Sequence, residues 1–157
     1  MSSRDAVHMT DGEIDAFLRS ARKVQVATIG RDGAPHLTTL FHVVDDDGRI
    51  VFWTYGRSQK VLNLERDPRI TCLVEDGLEY AELRGVSVTG TAEVVRDVDR
   101  VEQVGTAVAV RMIGADSPEA LGGFGRDEVA RQARKRVAII VTPSHVASWD
   151  HAKLHAG

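Results

Sequence analysis

The residues of this sequence that best suit chemistry by type and spacing lie in the segment 53–60. A predicted strand ends here, a glycine turns the chain, and Ser58 is placed to cap the helix that follows. Arg57 and Lys60 then stand at the positive end of the helix dipole, where each cation costs roughly 0.3–1 kcal/mol. Free amides, a hydroxyl, a guanidinium and an ammonium can together bind a phosphate or a carboxylate. We interpret the segment as an anion site; the alternative is that both cations simply extend into water.

The six histidines offer weaker chemistry. His151 and His155, with Asp150, could share one face of a helix, but a metal needs three or four fixed ligands and chain ends usually fray. His36 and His42 share a strand face but stand about 20 Å apart at the usual rise, too far for a common ligand. We therefore predict no metal site and no catalytic acid–base pair. His36 and His42 are predicted to be polar positions near a cleft, and His42 is the candidate proton donor.

The elements that must position these residues follow from periodicity. Thr10 and Glu13 have the spacing of a capping box and begin a predicted amphipathic helix over roughly 11–21. Segments with a period of two follow, separated by turns that contain glycine. The segment 49–55 is apolar on both faces, which predicts a barrel interior on one side and a helix or a second subunit on the other. Further helices are predicted at 58–65, 97–112 and 126–134, and a loop at 114–125. Strands are predicted at 23–28, 35–45, 49–55, 70–74 and 137–149, the last interrupted at Pro143, and a long strand pair over 80–96.

This pattern predicts a single domain over 1–157, mainly β with peripheral helices (α+β). About six strands joined mainly by hairpins favour a six-stranded antiparallel barrel with three to four helices around it. Cys72 alternates with Ile70 and Val74, so its thiol is predicted to be buried and inert.

Composition excludes several classes of function. The chain has 157 residues, 43% of them hydrophobic, and a formal net charge of −3, which argues against a nucleic-acid-binding protein. No apolar run is long enough for a transmembrane helix. The amino terminus lacks the pattern of a secretory signal, and a single cysteine builds no internal disulfide. We therefore expect a cytoplasmic protein with neither nucleic acid nor membrane as a partner.

Several segments together carry a resemblance to a known family: 26–40, 52–64 with its Ser58-Gln59-Lys60, 66–69, 74–77 and 148–150. The chain resembles the FMN-binding split-barrel superfamily typified by pyridoxamine 5′-phosphate oxidase. It looks closest to the branch of deazaflavin-dependent oxidoreductases that use coenzyme F420. The resemblance covers roughly residues 10–98 and 136–150, and implies a split β-barrel.

The resemblance also implies a cofactor site built from two segments. The flavin or deazaflavin ring is expected against one strand, and the cofactor phosphate at the segment 53–60. Ser58 and Lys60 match the family's polar and cationic pair, and Arg57 is a further contact. Trp53 and Tyr55 would supply apolar surface for the ring or for a dimer interface. The implied cofactor-binding residues are Leu37, Thr38, Thr39, Leu40, Trp53, Thr54, Arg57, Ser58 and Lys60.

The resemblance implies a homodimer whose reduced F420 donates a hydride to a small conjugated acceptor, such as a quinone-like or tetrapyrrole-like compound. An FMN-dependent oxidase or reductase on the same fold is the first alternative, and a non-catalytic cofactor or tetrapyrrole carrier is the second. Gln59 stands where the oxidase has arginine, which weakens the case for FMN. The stretch 114–124 matches no family pattern, and its glycines suit a mobile lid.

Overall fold

The computed structural model describes residues 3–155, which form one curled antiparallel sheet of seven strands with helices around it. Neighbouring strands follow the order β2-β1-β5-β6-β7-β4-β3. The strands are β1 (Lys23–Ile29), β2 (Pro35–Phe41), β3 (Val43–Val44), β4 (Ile50–Tyr55), β5 (Arg69–Asp76), β6 (Arg84–Val95) and β7 (Arg136–Asp150). The α-helices are α1 (Ser3–Ala6), α2 (Asp11–Ser20), α3 (Gln59–Arg66), α4 (Val98–Met112) and α5 (Gly122–Ala133), and short 3-10 turns lie at Tyr80–Glu82, Pro118–Leu121 and His151–Leu154.

The mainly antiparallel α+β architecture is confirmed, but the predicted six strands and three to four helices are wrong in number: residues 3–155 contain seven strands and five α-helices. The predicted strand 35–45 is two strands. Phe41 still pairs with β1, whereas Val43 already pairs with β4 at the other side of the sheet. The chain changes partner at His42, whose ring is buried and whose Nε2 lies 3.0 Å from the Leu18 carbonyl oxygen.

The final strand continues through Pro143 instead of stopping there. A register shift next to Gly90 leaves Ser144 as an extra residue between the pairs Thr89↔His145 and Gly90↔Pro143. Such a bulge removes the need for a ladder hydrogen bond at proline. A Cβ on Gly90 would lie 2.0 Å from the Thr142 carbonyl oxygen, so this close approach requires glycine.

The predicted loop 114–125 is partly helical. Residues Pro118–Leu121 form a 3-10 turn, and α5 begins at Gly122 and not at the predicted Arg126. Three glycines in the first four residues of α5 disguise its start, because glycine is a poor helix former. The helices α2, α3 and α4 begin within one residue of their predicted positions, and α1 was not predicted.

The core has two parts. The first fills the barrel and includes Phe52, Val74 and Ile139. The second lies between α4 and the outer face of β4 and β7, where Val51, Val101 and others pack. The two-faced β4 is therefore confirmed, and the element on its outer face is a helix.

Two helices close the two ends of the barrel. At one end, where β1 begins and β2 finishes, α2 buries Phe17 and Leu18, and its predicted capping box between Thr10 and Glu13 is present. At the other end lies α3, whose Asn63 Nδ2 donates a 3.1 Å hydrogen bond to Thr28 Oγ1 of β1. These ends are called the α2 end and the α3 end below.

None of the helices in residues 3–155 is long and apolar enough to cross a membrane.

Candidate functional site

The start of α3 has polar groups that nothing in the fold satisfies. Ser58 is the N-cap residue, and its carbonyl accepts from the amides of Val61 and Leu62. Its hydroxyl makes no capping hydrogen bond, although its Oγ is buried. The first turn of α3 contains no acidic residue to offset the helix dipole. The prediction that Ser58 begins the helix is confirmed, but its hydroxyl does not cap the helix and has no hydrogen-bond partner in residues 3–155.

Lys60, in the same turn, is buried, with 8% of its surface exposed. Its Nζ donates a 3.2 Å hydrogen bond to Thr54 Oγ1, and no carboxylate in residues 3–155 lies within ion-pair distance of it. Desolvation, and then the charge of Arg136, lower the pKa of Lys60. An ammonium buried without an anion is costly. The alternative interpretation of two water-exposed cations is therefore wrong for Lys60, while Arg57 is exposed as that interpretation expects.

A basic pocket of about 490 Å³ opens beside the end of β4. Five cations line it in a protein whose net charge is −3: Arg57, Arg96, Arg134, Lys135 and Arg136. Arg96 pairs with Glu65, and the other four have no ion pair within residues 3–155. Of these five residues, only Arg57 was predicted from the sequence. The run Arg134-Lys135-Arg136 directly before a strand is the signal that could have found three of them.

Arg136 is the residue of this basic pocket whose charge acts on Lys60, because it lowers the pKa of that ammonium. Its guanidinium lies 4.6 Å from the ring centre of Trp53 and 4.1 Å from that of Tyr55, in the geometry of cation–π contacts. Its Nε is buried and has no hydrogen-bond partner. The ring contacts hold the guanidinium in place without consuming its donors, so it can still bind an anion.

The predicted ring-binding strand β2 lies at one edge of the sheet. Leu37 and Thr39 are exposed, Leu37 at 66%, whereas Thr38 and Leu40 are half-buried. Thr38 Oγ1 is buried without a partner, as is His36 Nδ1 on the same face. Of the seven such side-chain atoms in the described part of the chain, four belong to His36, Thr38, Ser58 and Arg136. Unsatisfied polar atoms thus concentrate on the two predicted site segments and their basic neighbour.

A pocket of about 460 Å³ joins β2 to α3. His36 lines it together with Gln59 and Asn63, and Gln59 Nε2 donates a 2.8 Å hydrogen bond to Asn63 Oδ1. The start of the ring-binding strand and the start of α3 therefore face the same space.

The structure brings some predicted site residues together and separates others. Thr54, Ser58 and Lys60 meet at the α3 end, and Arg57 borders the basic pocket. Trp53 lies on the opposite face of β4 from Thr54 and packs against Gly105 of α4, where an added Cβ would be 2.3 Å from the indole ring.

His42 is not near a cleft, and this prediction is wrong. It is fully buried at the α2 end, and desolvation, with a smaller effect from the charge of Arg111, lowers its pKa. A side chain without solvent access or a path to the α3 end does not donate a proton to a substrate there.

Cys72 is buried as predicted, and desolvation raises its pKa to about 12, so its thiol is inert. Within residues 3–155, no three histidine, cysteine or acidic side chains are grouped so that they could hold a metal ion.

Comparison with known proteins gives consistent findings. The family model described as pyridoxamine 5′-phosphate oxidase matches residues 10–150. A pyridoxine/pyridoxamine 5′-phosphate oxidase of Kineococcus radiotolerans is 38% identical over 82 residues, which are 52% of this chain but only 35% of that enzyme. This chain therefore matches about a third of the length of that curated relative.

Two solved structures extend the comparison. A conserved hypothetical protein of Mycobacterium tuberculosis is 39% identical, covers 99% of this chain and 93% of its own, and superposes with a TM-score of 0.87. A protein described as an F420 reductase is 22% identical, with a TM-score of 0.63 over 84% of this chain and 94% of its own. At that identity the second likeness concerns the fold alone.

Proposed function

The chain belongs to the pyridoxamine 5′-phosphate oxidase family, and we propose that it is an oxidoreductase that binds coenzyme F420 and transfers a hydride from the reduced cofactor to a conjugated organic acceptor. The acceptor class is quinone-like or tetrapyrrole-like compounds. The observation that carries the proposal is the buried ammonium of Lys60, which has no anionic partner in residues 3–155 and is close enough to Arg136 of the basic pocket for that charge to lower its pKa.

The residues at the start of α3 fit a bound phosphate. An anion there would pair with Lys60 Nζ, accept a hydrogen bond from the orphaned Ser58 hydroxyl and interact favourably with the positive end of the helix dipole. Thr54 Oγ1 already orients Lys60. In this proposal Ser58 and Lys60 hold the cofactor phosphate and Arg57 adds an exposed contact.

The basic pocket favours F420 over FMN. FMN ends at its phosphate, whereas F420 carries carboxylates beyond its phosphate. Four cations that form no ion pair with any other residue of 3–155, on Arg57, Arg134, Lys135 and Arg136, exceed what one phosphate needs and suit a longer anion. Gln59 in place of the oxidase's arginine also weakens an FMN phosphate contact. FMN is retained as the alternative because of the family to which the chain belongs.

When bound, a reduced deazaflavin supplies the hydride, so the chain's own residues need only position and shield it. The face of β2 that carries Thr38 offers an unsatisfied hydroxyl to the ring or its polyol, and Leu37, Thr39 and Leu40 add surface along the same strand. In the proposed homodimer, a second copy covers the exposed Leu37 on this sheet edge and excludes water from the site. With His42 excluded as proton donor, solvent or another residue supplies the proton.

A titration with both cofactors tests the proposal. Purified protein is expected to quench F420 fluorescence at micromolar concentration and to ignore FMN. Reduced F420 is then oxidised by at least one member of a panel of quinones and tetrapyrroles. A yellow preparation loaded with FMN would overturn the F420 assignment. If F420 binds but no acceptor oxidises the reduced cofactor, the protein is a cofactor carrier and the proposed enzyme activity is overturned.

Substitutions in the basic pocket sharpen this test. The double variant Arg134→Gln, Lys135→Gln is expected to weaken F420 binding by about 3- to 10-fold, as for two partly exposed ionic contacts, and the effect should shrink in high salt. Arg131→Gln is the matched control, because Arg131 pairs with Glu128 outside the pocket. Equal effects of the double variant and the control would show that the pocket does not contact the cofactor.

A further inference from the structure

A second cavity lies between α4 and the outer face of the sheet and shares no lining residue with the basic pocket. This α4 crevice has a volume of about 430 Å³, within the range of small-molecule sites. Its floor is aliphatic and consists of Val51, Val95, Ala138 and Ile140, none of them more than 6% exposed. The floor therefore lies at the bottom of the crevice and is nearly closed to solvent.

The two lips of the α4 crevice carry opposite charges. Arg100 and Gln103 of α4 form one lip, and Asp45 and Asp46 of the hairpin between β3 and β4 form the other. The side chains of Arg100 and Gln103 make no hydrogen bond or ion pair within residues 3–155, and Asp46 makes none either. Arg100 and Asp46 line the same space without pairing with each other.

The other charged residues that line the crevice already have partners. Asp45 is engaged by Arg49, whose Nε donates a 2.9 Å hydrogen bond to it, and by two backbone amides. Arg49 also reaches Asp47. Arg19 donates hydrogen bonds to the carbonyls of Val44 and Asp45, and its charge also acts on Asp46 without forming an ion pair with it. Among the residues that line the crevice, the charges without a hydrogen bond or ion pair in residues 3–155 are therefore the Arg100 guanidinium and the Asp46 carboxylate, on opposite sides of an apolar floor.

We propose that the α4 crevice binds a small aliphatic amino carboxylate whose two charges are separated by an alkyl chain. The ligand carboxylate pairs with Arg100, its ammonium with Asp46, and its methylene groups cover the apolar floor. A plain aliphatic acid would leave Asp46 without a cation, and a plain amine would leave Arg100 without an anion, so a zwitterion matches both lips. The site is independent of the proposed F420 site.

The test uses three probes with the same five-carbon body: 5-aminopentanoate, pentanoate and pentylamine. Binding to the full-length protein is followed by NMR shifts of the methyl groups of Val51, Ala138 and Ile140. The zwitterion is expected to bind at least about tenfold more tightly than either singly charged probe, a difference of about 1.4 kcal/mol. Equal binding of pentanoate or pentylamine, or no binding of the zwitterion, overturns the proposal.

Two variants and a control locate the binding. Ala107→Leu fills the crevice from an exposed position on α4 and is expected to abolish the shifts. Arg100→Gln is expected to reduce the affinity for 5-aminopentanoate to that for pentylamine, while Arg126→Gln, on α5 outside the crevice, leaves it unchanged. If Ala107→Leu instead changes the sedimentation of the protein, the crevice is a subunit contact and the ligand proposal fails. F420 titration of the same variants is expected to match the wild type, which separates this result from that of the proposed function.

Discussion

The two ends of the barrel each bury one basic side chain and accommodate it differently. At the α2 end, His42 is fully buried; its Nε2 has a carbonyl partner, whereas its Nδ1 has none in residues 3–155. The ring nevertheless becomes neutral readily, because an unperturbed histidine titrates near 6.5. At the α3 end, Lys60 has an ordinary pKa near 10.5, and its hydrogen-bond partner is one neutral hydroxyl. Burial alone therefore does not indicate function. The informative difference is whether the fold itself satisfies the buried charge.

The largest expected effect is a loss of stability caused by a substitution at the α2 end. His42→Ala removes a ring packed at the change of strand partner and should lower the free energy of unfolding by about 2–4 kcal/mol, as for other large-to-small core substitutions. The affinity for F420 should not change, since His42 is not part of the α3 end. Urea denaturation and F420 titration measure the two quantities. His145→Ala, on an exposed strand position, is the control and should stay within about 0.5 kcal/mol.

A substitution at the α3 end should give the opposite pattern. Lys60→Met should raise the Kd for F420 by about 10- to 150-fold, which corresponds to about 1.5–3 kcal/mol for a lost charged hydrogen bond. The free energy of unfolding should not fall, because an apolar side chain of similar length replaces an unpaired buried charge. Lys23→Met, at an exposed position of β1, is the control for both measurements. An unchanged Kd for Lys60→Met would remove the anion site from the proposal.

The contrast between the ends also separates what the sequence could predict from what it could not. Local signals sufficed for the capping box at Thr10, the two-faced β4 and the helix that begins after Ser58, because the partners lie within a few residues or share a strand period. The basic pocket arises because residues 57, 96 and 134–136 converge from separate elements, and the burial of Lys60 likewise depends on how α3 packs against the sheet. Spacing along one chain does not contain that convergence.

His42 is a second case in which spacing along the sequence does not reveal a distant contact. Alternation along 35–45 assigned it to a polar face, and nothing in that stretch indicates that the strand leaves β1 for β4 at this residue. The partner that stabilises it, the carbonyl of Leu18, is 24 residues away. A polar residue inside a strand pattern was therefore assigned to a cleft when a distant backbone group accounted for it.

The smallest expected effect is the pH dependence of stability, which distinguishes the two buried groups within one experiment. Both pKa values are lowered in the folded state, so the unfolded chain binds more protons than the folded one below each unfolded pKa, and stability rises with pH in both windows. For His42 the window extends downward from 6.5, and stability falls as the medium is acidified through it. For Lys60 it extends downward from 10.5, and stability grows as the medium is made alkaline. Neither group contributes a slope above about 1.4 kcal/mol per pH unit.

Urea denaturation across both windows, with each variant subtracted from the wild type, removes the contribution of the surface carboxylates. His42→Gln should flatten only the acidic slope, and Lys60→Met only the alkaline one. Saturating F420 should also flatten the alkaline slope of the wild type, because a bound anion restores the pKa of Lys60 toward its ordinary value. If the ligand leaves that slope unchanged while it binds, then it binds away from Lys60. The two ends of the barrel would then bury their basic groups for the same structural reason.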